Sequence, residues 1–150
     1  MQPELLRQLE NKSMTVEQLR LKVERDISLR PDLLKGISSS KAAVRYGCAK
    51  VLMDLSATYP EKLYSHMAVF IGLLDSEYIL AWNALAIIAN LAKIDRDKKF
   101  DAAFDKYYSF LNDEHVVTMA NVVGNSGKIA LVKPQLIQMI TDELLRVENA

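Results

Sequence analysis

Ser40-Lys41-Ala42-Ala43-Val44-Arg45-Tyr46-Gly47-Cys48-Ala49-Lys50-Val51-Leu52-Met53-Asp54-Leu55 recurs, in altered form, as Ser76-Glu77-Tyr78-Ile79-Leu80-Ala81-Trp82-Asn83-Ala84-Leu85-Ala86-Ile87-Ile88-Ala89-Asn90-Leu91. At a shift of about 36 residues Val44 lies over Leu80, Tyr46 over Trp82, Cys48 over Ala84, Val51 over Ile87 and Leu55 over Leu91. A weaker third copy runs from Asn112 to Gly127. A period of this length marks stacked supersecondary units, none of which buries its apolar face alone. The expected fold is all-α, an α-α superhelix: a short solenoid of about three helix pairs.

The rest of the chain fits that frame. Apolar residues recur at intervals of three and four, the helical period, and no stretch alternates as a strand would. Pro3 to about Lys12 reads as a short helix, and Thr15 to Leu29 as a second. Val16, Leu19, Val23 and Ile27 form one narrow apolar stripe on that second helix, as on a surface helix. Residues 1–30 are therefore an N-terminal helical cap, and 31–150 one continuous run of repeats. The units are 31–59, 60–96 and 97–131, with a final helix over 134–148. The second helices are expected at Lys41–Ala57, Tyr78–Lys93 and His115 to about Ser126. The first helices of the later copies are expected at Glu61–Leu74 and Lys99–Leu111. The third copy aligns at a shift of 36 or 37. At 36, Val116, Ala120 and Val123 take core positions, and this register is preferred.

The chain has 150 residues, half of them apolar and a quarter charged, an ordinary composition for one globular domain. Nineteen basic and nineteen acidic residues cancel, so no bulk attraction to nucleic acid or an anionic membrane is indicated. Cys48 is the single cysteine, which excludes an internal disulfide and favours a reducing compartment. Met1-Gln2-Pro3-Glu4 opens no secretory leader, and the longest nearly uncharged stretch, Tyr78–Ala92, is short of the roughly 20 residues a membrane span needs. A cytoplasmic protein with no membrane association is expected.

Setting Val44 at zero and advancing about 100° per residue gathers Val44, Cys48, Val51, Leu52 and Leu55 on one side. Tyr46 and Met53 lie opposite, as do Trp82 and Ala89 in the second copy. Apolar residues on both sides describe a helix held between neighbours, and inter-repeat packing is the favoured reading of Tyr46 and Trp82. A polar strip remains: Gly47, Lys50 and Asp54, then Asn83 and Asn90, then His115, Met119 and Ser126. Asn83 and Asn90 share one face of an otherwise apolar helix. They either recognise a partner or are satisfied internally.

Ser40, Val44-Arg45, Ala49 and Leu52 resemble the second-helix signature of HEAT repeats, a pattern shared with armadillo-type repeats. Ser76–Leu91 and Asn112–Gly127 resemble degenerate copies, so the likeness covers roughly residues 31–148. Ala81, and Thr118 nearby, stand where the signature has Arg, so most of its ladder of acid–Arg pairs is expected to be absent. The resemblance implies a right-handed superhelix that binds other proteins, or sometimes nucleic acid, on a concave face built by second helices. Carried to this chain, it implies a non-enzymatic scaffold with a protein partner, contacted through Lys50, Asp54, Asn83, Asn90 and His115. Nucleic-acid binding through Lys41, Arg45, Lys50, Lys93 and Lys128, and self-association through the end faces, are the alternatives.

Catalytic chemistry is not suggested. His66 and His115 are far apart and lack metal-pair spacing. Cys48 falls on an apolar face and reads as a small hydrophobe. Asp95, Asp97 and Asp101 have no calcium-loop glycine. No metal and no cofactor is expected. Gly124-Asn125-Ser126-Gly127-Lys128 lacks the first glycine and the final hydroxyl of a phosphate loop, since Val122 and Ile129 stand there. It reads instead as a helix end with Gly127 near the C-cap, and as a possible hinge.

Overall fold

A computed structural model of the protein describes residues 2–148. Met1, Asn149 and Ala150, at the outer limits of the two expected units, lie outside the described residues. Among the described residues the chain is helical throughout its regular structure, with no strand. The helices are α1 (Glu4–Glu10), α2 (Val16–Arg25), α3 (Arg30–Gly36), α4 (Ala42–Thr58), α5 (Met67–Leu73), α6 (Tyr78–Leu91), α7 (Lys99–Ser109), α8 (Val116–Val132) and α9 (Ile137–Glu148). Short 3-10 turns lead into or out of several of them. The helix expected from Glu61 begins as two such turns, Pro60–Lys62 and Tyr64–His66, before α5. Pro60 sits at the first position of the first of these turns, where its missing N–H costs nothing.

Helix α2 starts at a reciprocal cap: the Gln18 N–H donates to the Thr15 hydroxyl at 3.1 Å, and the Thr15 N–H donates to the Gln18 side chain at 2.9 Å. From there α2, α4, α6 and α8 pack successively into a row, while α1, α3, α5, α9 and the turn after α7 pack against its members. One apolar core runs through the molecule, from Leu6 and Leu9 in α1 to Ile140 in α9.

The caps fix the register of the row. Helices α4, α6 and α8 have their N-caps at Lys41, Glu77 and His115, spacings of 36 and 38 residues. Tyr59 after α4, Asp95 after the 3-10 turn Ala92–Ile94 that follows α6, and Lys133 after α8 repeat the same two spacings. The third copy is thus displaced by 38, not by the expected 36 or 37. At the true register Thr118, Val122, Asn125, Ser126 and Ile129 occupy the buried positions of α8, whereas Val116 and Val123 are 69% and 46% exposed. The apolar pattern of α8 misleads because its core is partly polar and internally satisfied. The Trp82 indole donates to Thr118 Oγ1 at 2.9 Å, Tyr108 and Ser126 share a hydroxyl pair at 2.9 Å, and Asn125 donates to the Asn121 carbonyl at 2.8 Å. The helix also continues through Gly124 and Gly127 to a cap at Lys133, so Gly127 is not a C-cap.

Two glycines set how closely helices approach. A Cβ on Gly36 would stand 2.2 Å from the Cys48 sulfur, so α3 lies on α4 with no room for a side chain. A Cβ on Gly47 would meet Leu9 at 2.8 Å, which places this member of the expected polar strip in the α1–α4 contact. No helix among the described residues is long and apolar enough to cross a membrane.

Candidate functional site

Corrected for register, equivalent positions of α4, α6 and α8 form short cross-rows: Lys50, Ala86 and Gly124; Asp54, Asn90 and Lys128; Ala57, Lys93 and Leu131. The last two rows, with Ala86 of the first, line two adjoining depressions. One, of about 400 Å³, is lined by residues of four helices, among them Arg20 and Glu24 of α2, Asp54 of α4, Asn90 of α6 and Lys128 of α8. The other, also about 400 Å³, shares Ala57, Asn90 and Lys128 and continues past Lys93 to Leu131 and Val132. Together they make a groove crossing the row, and they are the candidate site.

Its polar groups are partly committed. Lys50 pairs with Asp54 at 3.2 Å, and Arg20 with Glu24 at 2.7 Å. The Lys50–Asp54 pair is the more open of the two, and such surface pairs contribute about 0–1 kcal/mol; Arg20 is part-buried and is also held by Glu17. The Asn90 amide donates to Ser56 Oγ at 3.0 Å, and its oxygen accepts from Lys128 at 3.4 Å. Asn90 therefore ties α6 to both neighbours at the groove floor.

Of the five residues expected at the site, Asp54 and Asn90 line this groove, and Lys50 reaches it through its bond to Asp54. Asn83 and His115 do not line it. Asn83 is half-buried nearer the start of α6 and makes no side-chain hydrogen bond among the described residues. His115 is the N-cap of α8: its Nδ1 accepts from the Val117 N–H at 3.2 Å, and its ring packs on Tyr78 and Trp82 at 4.7 and 5.2 Å. Ser126, also expected on the strip, is buried against Tyr108. The residues of α8 that do stand in the strip are Asn121, Gly124 and Lys128, which the 36-residue register conceals. Tyr46 and Trp82 are half-buried between helices. The five basic residues considered for nucleic acid do not all meet at one place. Arg45 reaches Glu77 at 3.6 Å and the Ser39 carbonyl at 3.1 Å, Lys50 is paired, and only Lys93 and Lys128 share a depression.

A second polar cluster, of which the sequence shows only the neighbouring carboxylates Asp95 and Asp101, joins the last two units. Lys133 lies 3.0 Å from Asp95 and 2.6 Å from Asp101, and its side chain is 6% exposed. Asp95 accepts from the Tyr64 hydroxyl at 2.6 Å and caps α7 through the Lys99 and Phe100 N–H groups, both at 2.8 Å. Burial alone would raise the Asp95 pKa, but the Tyr64 hydroxyl, Lys133 and the two amides outweigh it and hold the carboxyl below its usual range. Burial would likewise lower Lys133, yet its bonds to Asp101 and Asp95 hold it raised. Every member has a partner, so the cluster reads as a structural lock rather than a reactive site.

The single cysteine is a core residue. Cys48 is fully buried, and burial, with a smaller contribution from Asp32, pushes its thiol up to about 12. Among the described residues no group of His, Cys, Asp and Glu side chains is arranged to hold a metal ion. Comparison with family models, with curated proteins and with solved structures found no match to this chain.

Proposed function

We propose that this protein is a non-enzymatic helical-repeat scaffold, HEAT- or armadillo-like, that binds a protein partner along the groove crossing α2, α4, α6 and α8. One observation carries the reading: Asp54, Asn90 and Lys128, equivalent positions of three successive units, line a single groove. The superhelical form rests on the same equivalence, on the row of second helices and on the Val44-Arg45 signature. Arg45 does reach the next unit, at Glu77, as an inter-repeat pair would. The backbone of the groove is held by regular helices, so a partner meets a preorganised surface and little ordering entropy is lost on association. A cytoplasmic setting is part of the proposal and rests on the single buried thiol.

The test places a bulky cation in the half of the groove beside α2. Ala86→Arg should abolish capture of a specific protein from an extract of the source cells, while Gln138→Arg on α9 should leave it intact, both at unchanged melting temperature. A partner retained equally by the Ala86→Arg variant would rule out the groove.

A further inference from the structure

The two halves of the groove differ in charge. The half beside α2 carries acids and bases together, Arg20 and Glu24 with Asp54 and Lys128. The other half is lined by Ala57, Pro60, Lys93, Lys128, Leu131 and Val132 among others, and no carboxylate among the described residues contributes to it. Both lysines are exposed. Lys128 has only the neutral Asn90 amide as a contact, at 3.4 Å, and Lys93 forms no ion pair among the described residues. Apart from the Asn90 amide the rest of the lining is apolar, and Leu131 is 86% exposed, a full leucine side chain at the rim. Two un-neutralised ammonium groups beside an open apolar depression are complementary to a carboxylate next to a large apolar side chain.

We infer that this half of the groove docks a peptide segment of a partner protein in which an acidic side chain stands beside a bulky apolar one. The acid bridges Lys93 and Lys128, and the apolar group fills the depression against Ala57, Leu131 and Val132. The C-terminal ends of α4, α6 and α8 approach the same place, and each carries about half a negative charge. That partial charge fades within the last helical turn, whereas the ammonium groups stand off on four-carbon stems and set the field a ligand meets. The depression, about 400 Å³, is of the size that accepts side chains rather than a whole domain. The inference rests on the scaffold reading and specifies its partner chemistry.

Random-peptide display against the full chain, run in parallel on the Lys93→Glu/Lys128→Glu variant, tests it. Both positions are exposed, and matched melting temperatures establish that the variant is folded. The expected result is enrichment of Asp or Glu beside Leu, Ile, Phe or Trp on the wild-type protein, with the selected peptides binding the variant at least about tenfold more weakly. Replacing their acid by Lys should restore binding to the variant. Peptides enriched without an acid, or bound equally by both proteins, overturn the inference; if Ala86→Arg still displaces them, the scaffold reading survives. No enrichment on either protein, together with retention of a single-stranded oligonucleotide that the variant loses, assigns the lysines to phosphate and overturns both.

Discussion

Lys133 is the residue on which sequence and structure differ most. In the sequence it is a charged side chain before a proline, which ordinarily means solvent. In the fold it is the buried cation between Asp95 and Asp101. The one available signal was positional: Lys133-Pro134 repeats Tyr59-Pro60 at the helix exit. Removing one partner of a buried pair typically costs about 3–5 kcal/mol, because the other charge is left uncompensated. Lys133→Met should therefore lower the unfolding free energy by about 3 kcal/mol at neutral pH, measured by urea denaturation. A loss below about 1 kcal/mol would mean that water reaches the carboxylates. The pH dependence follows from the lowered pKa of Asp95. A carboxyl held below its unfolded value, about 4, stabilises the fold above that pH. This stability declines as pH falls below about 4 toward the folded pKa, and Asp95→Asn should flatten that acid limb.

At the scale of elements, most helices are legible. Helix α6 is nearly all-round apolar and α4 is apolar on two sides with a polar strip between, so their pattern and packing agree. Helix α8 is the exception. Its polar residues Thr118, Asn125 and Ser126 face inward with partners, and Val116 and Val123 face outward, so hydrophobic periodicity selects the wrong register. The same error moved His115 into the candidate site and hid Lys128. Helix α8 also tests propensity against packing. A Cβ on Gly124 or Gly127 would meet nothing within 4 Å, and neither has positive φ. Gly127→Ala should raise stability by about 0.5–1 kcal/mol, and Gly124→Ala by a similar amount. Gly36→Ala, whose Cβ would collide with Cys48, should lower it by about 1–3 kcal/mol. Thermal melts of the three variants check this. Destabilisation by Gly127→Ala would show that α8 needs a local kink that the glycine permits.

For the whole molecule, neighbours matter more than composition. Helix α6 has α4 on one side and α8 on the other, with α5 packed against it, while α1 and α9 stand at the ends of the described chain. In a nearest-neighbour array, local stability follows the number of covered interfaces. Amide hydrogen exchange should be slowest in α6 and fastest in α1 and α9, with α8 intermediate. Equal protection in α9 and α6 would mean that the chain unfolds only as a single unit.

The lock at Lys133 also bears on modularity. Helical arrays are commonly lengthened or shortened by whole units, because one unit offers the next the same surface it receives. Here the equivalent exit positions are Tyr59, Asp95 and Lys133, three different chemistries. A second copy of residues 60–96 inserted after the first would set one aspartate where the other requires an ammonium group, and two carboxylates would face each other out of water. The three helix exits differ in charge, so the order of the segments is written into the joints between them.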